Sequence, residues 1–169
     1  MIPRKFKGCV SVLADREIIE NLRENKLKIE PFIEQHLTPN GIDLCIGEVW
    51  VEGMAEKVTE GEISIPGHTR FLVATRECVG LPENLVGLLW LKTSLARKGI
   101  IGSFGLVDAG FNGNLTLAMY NSSGKSVVVK CGEKIVQLCF LKLSDMPEKL
   151  YPARSGNYQN QKGITFSRV

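Results

Sequence analysis

From Asn40 onward the chain is a succession of short apolar runs cut by glycine, and this pattern narrows the fold more than any other feature. The segments 42–46, 50–51, 63–65, 69–75, 86–91, 115–120, 126–129 and 135–143 have strand length and strand composition. Seventeen glycines punctuate them. Many short strands with frequent turns predict a mainly β fold, a β-sandwich or jelly roll. One short N-terminal helix is legible before them. Asp15 is its predicted N-cap, Glu17 and Glu20 lie in its early turns, and Ile18, Ile19 and Leu22 share a face. It should fade near Asn25, and 28–32 should be extended because Pro31 disfavours a helical residue before it. A second short helix is predicted at 94–98.

At 169 residues the chain suits a single domain, 1–169, with a full core. The polar segment 151–169 reads as an arm or lid rather than core. With 44% hydrophobic and 23% charged residues, the composition points away from disorder and membrane classes. A net charge of +3 is too small to imply nucleic-acid binding. The first eight residues are basic but lack the apolar stretch of a secretory signal, which predicts a cytoplasmic protein. Cys9, Cys45, Cys78, Cys131 and Cys139 are odd in number and form no Cys-x-x-Cys pair. They read as reduced, mostly buried thiols rather than a disulfide framework or zinc site.

Three segments look chemical. Asp43 follows an Asn-Gly turn inside an apolar run, so its carboxylate must be half exposed or find a partner; an Asp making a turn bond at a strand edge is the plainer reading. Lys92, Thr93, Ser94 and Arg97 put two hydroxyls and two cations at a predicted helix start, a reasonable phosphate cradle. The alternative is a capped helix with solvated lysines and arginines. Asp108 ends a strand before a turn containing Phe111; it could activate water while the ring packs on a sugar, or simply shape an Asp-x-Gly turn.

Read in order, the chain resembles the dCTP deaminase/dUTPase family, particularly its archaeal branch. The resemblance rests on Ala-Asp-Arg-Glu-Ile-Ile at 14–19, Lys-Ile-Glu-Pro-Phe at 28–32 and Asn-Gly-Ile-Asp-Leu-Cys-Ile-Gly at 40–47. It continues through Ala-Thr-Arg-Glu at 74–77, Thr-Ser-Leu-Ala-Arg at 93–97 and Val-Asp-Ala-Gly-Phe-Asn-Gly at 107–113. It closes with Gly-Glu-Lys-Ile-Val-Gln-Leu at 132–138 and Tyr-Gln-Asn-Gln-Lys-Gly at 158–163.

The resemblance implies a jelly-roll homotrimer with active sites between subunits, and a nucleoside triphosphate bound with Mg²⁺. Lys92, Thr93, Ser94 and Arg97 match phosphate-binding positions, and Asp108 the carboxylate that contacts deoxyribose and orients water. Asp43 matches an Asp near the metal, acting through water. The base is expected on the main chain of 115–118, including Leu115, Leu117 and Ala118. Tyr151, Tyr158 and Gln161 match nucleotide contacts in the C-terminal arm. Lys92 stands where the family has Arg, and gives a point charge without the bidentate fork. Deaminating members carry Glu where this chain has Ala118, and a methyl group transfers no proton. The expected activity is therefore hydrolysis of dUTP to dUMP and pyrophosphate, with Asp108 orienting the water. The alternatives are dCTP deamination, which Ala118 disfavours, and a catalytically inactive nucleotide-binding regulator.

Overall fold

The computed structural model describes residues 11–168. Cys9 and the basic first eight residues lie outside that range. Helix α1 spans Asp15–Arg23 and buries Ile18 in the core. Its N-cap is Ala14 rather than Asp15. Ala14 offers no side-chain acceptor to the first-turn N–H groups, and only the reciprocal bond of a capping box is made: the Glu17 carboxylate accepts the Ala14 N–H at 3.3 Å.

The ten strands are β1 (Lys28–Glu30), β2 (Leu37–Thr38), β3 (Gly41–Val51), β4 (Glu62–Ile65) and β5 (Thr69–Gly80), then β6 (Leu85–Leu91), β7 (Ile100–Gly102), β8 (Asn112–Asn121), β9 (Val127–Lys130) and β10 (Lys134–Lys142). An eight-stranded antiparallel sheet runs β6-β10-β3-β5-β8-β7, with β1 added to β5 and β2 to β3; β4 and β9 form a separate pair. The sheet curls into a nearly closed, barrel-like wall around one apolar core, with Phe71, Phe140, Ile42, Leu44 and Leu117 at its centre. The mainly β expectation holds.

Strand β3 joins two parts of the wall. Residues 42–45 pair with β10, and residues 46–51 pair with β5, with a register shift between Ile46 and Glu48. Gly47 sits in that shift, where a Cβ would lie 2.9 Å from the Cα of Arg76. Only a residue without a side chain lets the two backbones approach so closely. What reads as two strands, 42–46 and 50–51, is thus one bulged strand.

The predicted second helix is a single turn, α2 (Thr93–Ala96), anchored by buried Leu95. A third, α3 (Tyr151–Arg154), was not legible in the polar tail. That tail is more than an arm: Ile164 is buried and packs with Leu72, Ala74 and Trp50, and Phe166 meets Trp50 edge-on with centroids 5.1 Å apart. Among the described residues no helix is long and apolar enough to cross a membrane.

Candidate functional site

A cavity of about 410 Å³ opens along one side of β8. Asp108, Phe111, Leu115, Leu117 and Ala118 line it from the body of the domain, and Tyr151, Tyr158 and Gln161 from the tail. Eight residues singled out in the sequence are thereby brought together.

The Asp108 loop is held at both ends. Val107 bridges Gly87 through backbone hydrogen bonds of 2.9 and 3.0 Å, and Gly110 N–H donates to Leu81 O at 3.2 Å. Gly110 has φ +83°, the left-handed conformation this turn requires. Asp108 is left exposed at the cavity wall, and its carboxylate has no partner among the described residues. Among the described residues it is the sole carboxylate in the lining, and Arg70 the sole cation.

Phe111 and Tyr151 meet edge-on at 5.7 Å, and Tyr151 N–H donates to Ala109 O at 3.0 Å. The tail is thus tied to the Asp108 turn. Phe111 is buried, at 6% exposure, which leaves little of its ring to pack on a sugar. Tyr158 N–H donates to the Tyr151 hydroxyl at 3.0 Å.

Asn114 connects strand and tail. Its N–H donates to Gln161 O at 3.0 Å, and its carbonyl accepts from Gln161 Nε2 at 2.6 Å. Its side-chain amide holds the bulged segment of β5 through the carbonyls of Thr75 (3.0 Å) and Glu77 (3.1 Å). Gly113 permits this docking, since a Cβ there would lie 2.9 Å from Gln161 O. The result is a buried Gln161 whose Oε1 has no hydrogen-bond partner.

The expected main-chain contacts at 115–118 divide by strand alternation. Leu115 N–H donates to Thr75 Oγ1 at 2.9 Å, on the β5 side, and Leu117 faces the same way. Their N–H groups are therefore taken by the wall and are corrected out of the base-pairing set, although both side chains line the cavity. Thr116 and Ala118 N–H groups point to the other edge, where β7 covers only 119–121.

The expected phosphate residues lie elsewhere. None of Lys92, Thr93, Ser94 or Arg97 lines this cavity. Thr93, Ser94 and Arg97 are exposed, without side-chain partners among the described residues. A four-residue α2 supplies little helix dipole, which weakens the cradle read from sequence. Lys92 is engaged: its Nζ lies 2.9 and 3.0 Å from the two oxygens of Asp43. Lys134 adds a second contact to Asp43 at 3.3 Å. Asp43 is buried at 4% exposure inside a segment of β3 covered on both faces. Two ammonium groups already satisfy this carboxylate, which leaves little of its charge for the water-mediated magnesium contact expected there.

The chain belongs to the dCTP deaminase-like family, whose model matches residues 12–143. It is 43% identical over 145 residues to the dCTP deaminase of Pyrococcus horikoshii, covering 85% of this chain and 91% of that relative. It is 35% identical to "Probable deoxyuridine 5'-triphosphate nucleotidohydrolase" of Sulfolobus islandicus rod-shaped virus 1, covering 93% and 98%. In fold it resembles the 2'-deoxycytidine 5'-triphosphate deaminase of Agrobacterium tumefaciens, with TM-score 0.69 and 20% identity. The match covers 79% of this chain and 48% of that one, so this chain spans about half its length.

These findings overturn the expected dUTP hydrolysis. Six relatives at 37–43% identity are named dCTP deaminase. The expectation rested on Ala118 lacking an acid, yet a carboxylate need not come from that position to reach the pocket. Asp108, ten residues earlier and on a different element, lines the same cavity as Ala118.

Proposed function

We propose that the chain binds dCTP in the Asp108 cavity and removes the 4-amino group of the base by hydrolysis. The observation that carries this reading is the Asp108 carboxylate, unpaired and the one carboxylate in the lining among the described residues, in a chain whose relatives are named for this reaction. Asp108 takes a proton from water as the oxygen bonds to C4. It gives that proton to ring N3, then carries the remaining proton of the C4 hydroxyl to the amine; the C4–N bond breaks as the C4 carbonyl forms, and ammonia and dUTP leave. Thr116 and Ala118 N–H groups suit the acceptors of a cytosine edge.

The phosphates belong to Thr93, Ser94 and Arg97, which are exposed and free but outside the cavity wall. This separation supports a homotrimer in which one subunit's loop completes the cavity of the next. The exposed apolar residues Trp90, Ile101 and Leu106 are suited to the contacts between copies. Magnesium enters only as the counter-ion a triphosphate carries, and no cavity side chain is assigned to it.

Ala118 favours a second reading, in which the nucleotide binds without turnover. One experiment separates the two: incubate the full chain with dCTP and Mg²⁺, measure ammonia and identify the nucleotide product. Ammonia with dUTP supports deamination. Saturable dCTP binding without ammonia supports the second reading, and failure to bind dCTP removes both.

A further inference from the structure

His36, Cys45 and Glu77 come from three separate elements and offer one ligand atom each, all within 4.8 Å of one another. We infer that these residues form a zinc site, distinct from the nucleotide cavity, that clamps the turn bearing His36 onto β3 and β5. His36 Nδ1 stands 3.7 Å from Cys45 Sγ. Tetrahedral zinc with Zn–S of about 2.3 Å and Zn–N of about 2.05 Å places sulfur and nitrogen ~3.6 Å apart. The observed separation needs almost no adjustment.

A second, independent feature is the Glu77 carboxylate. Glu77 is 2% exposed; its Oε2 accepts the Cys45 N–H at 2.8 Å, while its Oε1 is buried without a hydrogen-bond partner. A buried carboxylate with one oxygen unsatisfied is costly unless a cation or donor meets it. A divalent ion beside one thiolate and one carboxylate gives a neutral set of charges, which removes that cost.

The donor types select the metal. Sulfur, imidazole nitrogen and one carboxylate oxygen suit zinc and disfavour magnesium and calcium, which take oxygen ligands. Three protein ligands leave a fourth position for water, reachable from the half-buried His36 side. Burial first, and then Lys134, hold His36 below the usual histidine range. Burial and the Glu77 carboxylate push the Cys45 thiol up to about 11, so the entering metal must displace its proton. Neighbouring Arg76 opposes a cation, whereas Asp43 favours one.

The test is Zn²⁺ binding to the full chain, in competition with a chromogenic chelator, with Co²⁺ as a spectroscopic substitute. The expected result is one zinc per chain surviving dialysis, and a thiolate-to-cobalt charge-transfer band. Cys45→Ser should abolish the band and weaken zinc by more than ~100-fold, beyond the loss of an outer-shell partner. His36→Ala, at a half-buried turn, gives the same zinc loss if Cys45→Ser fails to fold. Cys78→Ser, whose thiol faces Asn112 at 3.9 Å, should keep both signals. Absence of the band in the parental chain, or unchanged zinc affinity in both His36→Ala and Cys45→Ser, would overturn the site.

Discussion

Lys92 reaches across from the end of β6 to Asp43 on β3, placing its Nζ 2.9 and 3.0 Å from the two carboxylate oxygens. The pair is asymmetric in burial: 5% of the Asp43 side chain is exposed against 30% for Lys92. Removing the lysine leaves a buried carboxylate with only Lys134 at 3.3 Å. Removing the carboxylate leaves two lysines that water can still reach. Lys92→Met should therefore cost about 2–3 kcal/mol, somewhat less than a fully buried pair broken on one side. Asp43→Asn should cost about 1 kcal/mol, the scale of one hydrogen bond. Urea denaturation of both variants measures the order, and the reverse order would refute this account of the pair.

Asn114→Ala should loosen the β5 bulge and the tail together, because one side chain holds the carbonyls of Thr75 and Glu77 and also accepts the Gly163 N–H at 3.3 Å. A loss of roughly 2–3 kcal/mol is expected from carbonyls left without donors. Faster amide exchange at 161–165 should accompany it. Unchanged exchange there would show that the tail is held independently of Asn114.

Asp108→Asn should reduce ammonia release from dCTP by ~10²–10⁴-fold, the scale of lost general acid–base help. Melting temperature should hardly move, since the exposed carboxylate has no side-chain partner among the described residues. Near-parental turnover would take the proton transfers away from Asp108.

Glu17 and Lys142 supply a pH-dependent contact. Lys142 Nζ lies 2.6 Å from Glu17 Oε1, and this bond holds the Glu17 carboxyl below its ordinary value of 4.5. A lowered carboxyl contributes stability that is present above its unfolded value and lost as pH falls through the folded one. Both side chains are more than a third exposed, so solvent screening limits the contribution to about 0.5 kcal/mol. Thermal melts of the parental chain and Lys142→Met should differ by a small constant amount at pH 6–8, then converge below pH ~4. A gap that widens in acid would contradict the sign.

The sequence by itself determined the class of fold and most of one wall of the site. Glycine-cut apolar runs are a local signal, and Leu115, Leu117 and Ala118 lie on one of them; Asp108, Phe111 and the tail residues Tyr151, Tyr158 and Gln161 were legible only from turn chemistry and the order of motifs. Tertiary structure decided which groups meet. The apolar pattern places Asp43 in a strand but cannot show that the ammonium groups of Lys92 and Lys134, 49 and 91 residues away, will consume its charge. The cysteines lack any zinc-like spacing, yet the β3 and β5 bulges set Cys45 beside Glu77, and the turn after β1 brings His36 within 3.7 Å. Ala118 reads as a missing acid when aligned position by position, whereas the folded cavity also contains the Asp108 carboxylate. In each case the decisive quantity is a distance between strands, set by register and bulges that depend on long-range pairing rather than on neighbours in the chain.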